Sequence, residues 1–173
     1  MANLCFNTIY LFGERKTLEE IQELSKKCIH DRWGSFEEWQ DKIGFECEGW
    51  GRSYDEGLAY VEFNDDHLEV YGCTAWGSID DYWDALCAFK NLTWCGLSEN
   101  DDDIWVTNDP DKKWFPYEYD VQIWEANDYF EEPEDGMMTR AQLEKYLNGM
   151  SISDAMEFFE EKEFGCIKEI IRE

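Results

Sequence analysis

The sequence predicts an α+β fold, and three observations predict it. Apolar residues recur at every second position in some stretches and at every third or fourth in others, so strands and helices both occur. Two Ser/Thr-x-x-Glu boxes, at 17–20 and 35–38, mark helix starts. An Asn64-Asp65-Asp66 turn between two apolar runs marks a β-hairpin. At 173 residues one domain with a small appendage is expected.

Residues 4–12 read as a strand, because Thr8, Ile9 and Tyr10 favour β structure and Gly13 ends the run. Thr17 starts a helix whose Leu18, Ile21, Leu24 and Cys28 share one apolar face. Ser35 starts a short helix through Trp39. Phe45, Cys47 and Gly49 then alternate with Glu46, Glu48 and Trp50, the pattern of a strand. The run 58–63 and the alternating Leu68, Glu69, Val70 and Tyr71 form the arms of the hairpin. Ser78 caps a third helix with Asp80 and Asp81 in its first turn, where the helix dipole favours acid. Its apolar face is Ile79, Tyr82, Trp83, Leu86 and Phe89. Strands follow at 92–96, 104–107 and 114–124. In the last, Tyr117, Tyr119, Val121 and Ile123 alternate with Glu118, Asp120 and Gln122, so one face buries and the other shows acid. After an acidic loop at 125–136, Thr139 starts a helix over 141–147. Ser153 starts another, carrying Ala155, Met156 and Phe159, and an amphipathic helical turn runs over 164–171.

A strand–helix unit, a central hairpin and a second strand–helix unit predict a mainly antiparallel sheet with helices on one face. The outline is ferredoxin-like, with an extra hairpin and a C-terminal helical extension. Residues 1–136 form the acidic α+β domain on this reading, and residues 137–173 the extension.

The net charge is −26, and it is unevenly placed. Residues 1–43 carry 8 Asp+Glu against 6 Lys+Arg, residues 44–136 carry 25 against 4, and residues 137–173 carry 8 against 5. The acidic middle is rich in Trp, Tyr and Phe, so it folds rather than forming a disordered tail. Its field repels nucleic acid and anionic membranes, and attracts proteins with a basic nucleic-acid-binding groove. At one charge per ~1.7 Å of B-DNA axis, that segment's excess of acid matches roughly 36 Å of duplex. The acid expected to face such a partner is Asp101, Asp102, Asp103, Asp109, Asp111, Glu118, Asp120, Glu131, Glu132, Glu134 and Asp135. Trp105, Trp114 and Tyr129 are the aromatic anchors, since aromatic residues are enriched among interface hot spots.

Catalytic and metal-binding patterns are missing from the sequence. The 101–111 acids lack the Gly at loop position six and the Glu at position twelve of an EF-hand. His30 and His67, the two histidines, have no ligand spacing. No P-loop, GxGxxG or GxSxG occurs. No catalytic residue, metal or cofactor is therefore expected. The seven Cys are odd in number, widely spaced and without CxxC, so they read as core thiols of a reducing compartment. No run of ~18 apolar residues or leader pattern is visible, and a cytoplasmic protein is expected.

Three short motifs carry a resemblance. Met1-Ala2-Asn3-Leu4-Cys5-Phe6-Asn7 resembles the opening of the YubB-type ferredoxin-like proteins of phages and plasmids. Those begin Met-Ala-Asn, usually followed by Trp, then Cys, then Asn two residues on; Leu4 stands in place of the Trp. Trp50-Gly51 and Thr74-Ala75-Trp76 are similar to the family's mid-chain segments, in the same order, over about residues 1–124. The resemblance implies a mobile-genetic-element origin and a ferredoxin-like fold, but no chemistry. Joined to the charge, it leads to the expectation of a non-catalytic, phage-type anti-defence inhibitor (anti-CRISPR or anti-restriction) in the cytoplasm of an infected or element-carrying bacterium. It would fill the nucleic-acid channel of a host defence protein, a CRISPR effector or restriction nuclease, by charge mimicry. One alternative is a small-ligand-binding or enzymatic ferredoxin-like protein. Another is a module that forms a homodimer through the C-terminal helices, where Met150, Met156, Phe158, Phe159 and Phe164 crowd both sides.

Overall fold

The computed structural model describes residues 4–47, 53–75, 77–123, 134–162 and 165–173. The fold is α+β. It divides into two compact units, Met1–Asn108 with Glu173, and Asp109–Arg172. The division thus falls well before Gly136, where the sequence placed it. The reason is pairing: the acidic strand after residue 109 builds a sheet with the C-terminal segment rather than with the strands before it.

The first unit contains β1 (Leu4–Phe12), α1 (Arg15–Ser25), β2 (Ile29–His30), β3 (Trp33–Gly34), α2 (Phe36–Ile43), β4 (Ser53–Asn64), β5 (His67–Ala75), α3 (Asp80–Lys90), β6 (Thr93–Glu99) and β7 (Ile104–Thr107). Its strands lie in the order β7-β6-β1-β5-β4-β3-β2, neighbours antiparallel. The hairpin expected from Asn64-Asp65-Asp66 forms: Asn64 pairs with His67, and Asp65 takes the left-handed conformation that such a turn demands (φ 49°).

Alternation on β1 decides where the helices go. Cys5, Asn7, Ile9 and Leu11 are buried, while Phe6, Thr8, Tyr10 and Phe12 are exposed or half-buried. Ile9 and Leu11 join Leu58, Val61, Leu68 and Val70 of the hairpin in a core closed by Leu18 and Ile21 of α1, Phe36, Trp39 and Ile43 of α2, and Tyr82, Trp83 and Leu86 of α3. Tyr82 sits edge-on to Phe36, Phe45 and Trp83 with centroids 5.0–5.6 Å away, and its hydroxyl donates to the Phe36 carbonyl at 3.1 Å. That bond satisfies the polar tip of a fully buried ring. Gly72 lets α2 approach the sheet, since a Cβ there would lie 2.5 Å from Phe36 Cζ and 2.7 Å from the Gly57 carbonyl.

Helix starts were partly legible. Ser35 caps α2 by accepting from the Glu38 N–H, and Gly44 closes it at Ile43, four residues past Trp39. α1 begins at Arg15 with Glu14 as the flanking residue, so the Thr17 box is not used; the Thr17 and Leu18 amides already bond to the Glu14 carbonyl. In α3 the flanking residue is Ile79, and Ser78 bonds the Asp80 carboxylate instead of capping. Phe89 is 54% exposed rather than part of the apolar face; Cys87 is buried in its stead. The strand expected across 45–50 is not formed at 45–47, and its remainder lies outside the described residues.

The second unit contains β8 (Tyr119–Ile123), β9 (Glu134–Met138), α4 (Arg140–Tyr146), α5 (Ile152–Lys162) and β10 (Gly165–Glu169). The order β10-β8-β9, antiparallel throughout, makes β8 the central strand. The C-terminal segment expected to be helical is therefore a strand, with Gly165 and Ile167 buried and Cys166 and Lys168 half-buried. Thr139 and Gln142 form a reciprocal capping box on α4. α5 starts from Ser151, whose hydroxyl accepts from the Asp154 N–H, rather than from Ser153. Tyr119, Val121, Ile123, Leu143, Leu147, Ala155, Phe159 and Ile167 form this unit's own core. Met150, Met156 and Phe158, which the homodimer alternative sets against a second copy, are partly buried against that core.

Candidate functional site

The acidic residues singled out by sequence separate into two groups, one in each unit. Between Glu99 and Ile104, which pair across β6 and β7, the chain turns through Asn100 and the three aspartates. The turn is built by Asn100, not by the acids. Its Oδ1 accepts the N–H groups of Asp102 at 2.8 Å and Asp103 at 2.9 Å, and its own N–H donates to the Asp103 carbonyl at 3.0 Å. Asp101, Asp102 and Asp103 are exposed. Trp105 follows on β7, half-buried and opposite Ser98.

In the second unit the same residue types have other tasks. Asp109, expected on the surface, is buried: its carboxylate accepts the backbone N–H groups of Lys113 (3.0 Å), Trp114 (3.2 Å) and Phe115 (2.8 Å). Arg172 closes the same loop from the other side, donating to the carbonyls of Asp109, Phe115 and Tyr117 at 2.6–3.1 Å. Asp120 is buried too, with Lys168 and Met137 as its register partners on the two strands that flank β8, and it accepts from Gln122 Nε2 at 2.9 Å. Glu118 pairs with Lys112 and accepts the Arg140 backbone N–H at 3.2 Å. The Lys112 hydrogen bond, with Arg140 adding to it, holds the Glu118 carboxyl below the usual range. Asp111 is exposed. Trp114 is half-buried with the Lys113 ammonium 4.0 Å from its ring centroid, a cation–π contact. Glu134 and Asp135 stand in β9 opposite Ile123 and Gln122. Tyr129, Glu131 and Glu132 lie outside the described residues. Of the acids placed, Asp101, Asp102, Asp103 and Asp111 present exposed charge.

The motif residues Cys5, Asn7 and Thr74 converge in a buried network. Asn7 Nδ2 donates to Thr74 Oγ1 at 2.9 Å and to the Cys5 carbonyl at 3.0 Å, and its Oδ1 accepts from Ser98 Oγ at 2.8 Å. Thr74 Oγ1 donates to the Gly77 carbonyl at 2.7 Å. The network ties β1, β5 and β6 together, a structural task that a satisfied buried amide performs well. Burial pushes the Cys5 thiol up to about 11, so it is no nucleophile at neutral pH. All seven cysteines are free thiols.

Two features escaped the sequence reading. One is a row of aromatic rings on the sheet face away from the helices of the first unit. The other is a cavity of about 700 Å³ in the second unit, bordered by Met156, Phe159, Glu160, Cys166, Ile167 and Lys168. Its signal lay in β10, which read as helix. Among the described residues no group of three or more His, Cys, Asp or Glu is placed to hold a metal ion, and no helix is long and apolar enough to cross a membrane. Comparison with protein-family models, with curated proteins and with solved structures finds no match in any of the three.

Proposed function

We propose that this protein is a non-catalytic, acidic inhibitor that occupies the basic nucleic-acid-binding channel of another protein. The observation that carries the reading is the exposed Asp101-Asp102-Asp103 turn, held in shape by the Asn100 side chain, on a chain of net charge −26. Three adjacent carboxylates on an ordered turn offer a charge density of the kind a phosphate backbone offers. The mimicking set is Asp101, Asp102, Asp103 and Asp111, with Trp105 as anchor; Asp109 and Asp120 leave it because they are buried. The resemblance to YubB-type proteins supports a phage or plasmid setting, and with it a host CRISPR effector or restriction nuclease as the partner. The β6-β1-β5-β4 order, with helices in both crossovers, supports a ferredoxin-like core within the first unit.

The test is a pulldown from a bacterial lysate with wild type and the D101N/D102N/D103N variant. Capture of a nucleic-acid-binding protein that competing DNA or RNA displaces, and that the variant loses, is the expected result. Equal capture by both proteins, or none that nucleic acid displaces, ends the proposal.

The cavity beside α5 and β10 favours a second reading, a small-ligand binder. Its volume of about 700 Å³ lies in the range of ligand pockets, and its walls are largely apolar. A small-molecule library screened by thermal shift, with Phe159→Ala as control, distinguishes the two.

A further inference from the structure

The first unit's sheet carries helices on one face and a row of aromatic rings on the other. Phe6 on β1, Tyr71 on β5 and Tyr60 on β4 stack in sequence. Phe6 and Tyr71 have centroids 6.4 Å apart and planes within 10°; Tyr71 and Tyr60 are 5.4 Å apart and within 17°. Phe6 is 38% exposed, where an apolar ring on a covered sheet would be buried. Beside the row stands Glu69, two residues from Tyr71 on the same face of β5. Tyr60 Oη donates to Glu69 Oε1 at 2.6 Å and Asn64 Nδ2 to Oε2 at 3.5 Å, so the carboxylate is aimed by its neighbours.

Directly opposite Glu69 in the β4–β5 register is Glu62, which is exposed. Like charges facing each other across an antiparallel pair are destabilising. Among the described residues no ion pair joins either carboxylate to Lys or Arg. The face thus sets two unneutralised carboxylates beside a row of near-parallel aromatic rings. A nucleobase could stack on such rings, but its phosphates need surrounding cations. A guanidinium fits both parts. It is planar, stacks on aromatic faces, and gives paired N–H groups to a carboxylate.

We propose that this aromatic face is a docking site for an arginine-bearing segment of a basic partner protein, the guanidinium stacking on the Phe6–Tyr71–Tyr60 row and bonding Glu69 and Glu62. The site lies on the strands of the hairpin and β1 and does not depend on the Asp101–Asp103 turn, so it stands or falls separately from the mimicry reading.

The test uses the full-length chain and a fluorescein-labelled Gly-Arg-Gly-Gly-Arg-Gly peptide, read by anisotropy, beside its lysine and citrulline versions. Citrulline keeps the planar shape and removes the charge. The arginine peptide is expected to bind, the lysine peptide several-fold more weakly, and the citrulline peptide at least about tenfold more weakly, since a neutral urea group forfeits the charge-assisted hydrogen bonds. Tyr71→Leu and Glu69→Gln should each weaken the arginine peptide about tenfold, and D101N/D102N/D103N should leave it unchanged. Glu62→Gln, at an exposed position of β4, tests the site without touching the packed rings should either of the first two fail to fold, and should also weaken the arginine peptide. The proposal is overturned if no arginine peptide binds at millimolar concentration, if lysine or citrulline peptides bind equally, or if the triple-Asn variant weakens binding as much as Glu69→Gln.

Discussion

Asp109 gives the sharpest prediction, because sequence and structure assign it opposite roles. As part of an interaction surface, its loss would change binding and leave stability untouched. In the structure its carboxylate accepts three consecutive backbone N–H groups, from Lys113, Trp114 and Phe115. Hydrogen bonds to a charged acceptor contribute about 1.5–3 kcal/mol each, and a buried donor left unpaired costs about 1–3 kcal/mol. Lys113 is exposed, so water replaces its lost partner; Phe115 is buried and water does not. Asp109→Ala is therefore expected to destabilise the second unit by about 2–4 kcal/mol, and Asp109→Asn, which keeps one acceptor oxygen, by about half as much. Amide hydrogen exchange reads this directly. Protection of the Phe115 amide should fall by roughly 30- to 1,000-fold in Asp109→Ala, at tenfold per 1.4 kcal/mol. Arg172→Ala should loosen the same loop, since its guanidinium bonds three carbonyls of residues 109–117. Unchanged exchange at Phe115 in Asp109→Ala would refute the reasoning and return Asp109 to the surface.

Two further predictions concern titrating groups that the fold shields from water. Burial raises the Asp80 pKa above the ordinary value, and hydrogen bonds from Ser78 and Thr107 pull it partly back. The folded state then holds the Asp80 proton more tightly than the unfolded chain. The ionised carboxylate costs stability at neutral pH, a cost that is absent below about pH 4 and appears as pH rises through the folded pKa. Asp80→Asn should thus be more stable than wild type at pH 7 and equal to it near pH 3 in urea titrations; the reverse order at pH 7 would mean that the α3 dipole outweighs burial. Burial also pushes Cys5 up to about 11 and Cys87 up to about 12. A thiol reagent at pH 8 should label half-buried Cys47 and Cys166 in the native protein, and the five buried cysteines only after unfolding; rapid native labelling of Cys5 contradicts this.

What the sequence determined by itself was local. Gly13 after an alternating run fixed the end of β1, the Asn64-Asp65-Asp66 turn fixed the hairpin, and Ser35 and Thr139 fixed two helix starts, because each signal acts within four residues of where it is read. The tertiary structure decided whatever depends on a distant neighbour. Asp101 and Asp109 are the same residue type in one acidic run; Asp109 is buried because three amides of the 113–115 turn point at it. Asp120 alternates like a solvent-facing residue, yet β10, from the far end of the chain, pairs with β8 and makes it central. Residues 165–169 are too few for a period of two to be told from one of 3.6, so the edge of β8 chose strand over helix. On β1 both faces are apolar, one with Ile9 and Leu11, the other with Phe6 and Tyr10. Alternation shows that two faces exist. Only the packing of α1, α2 and α3 settles which is the core and which is left as an aromatic surface.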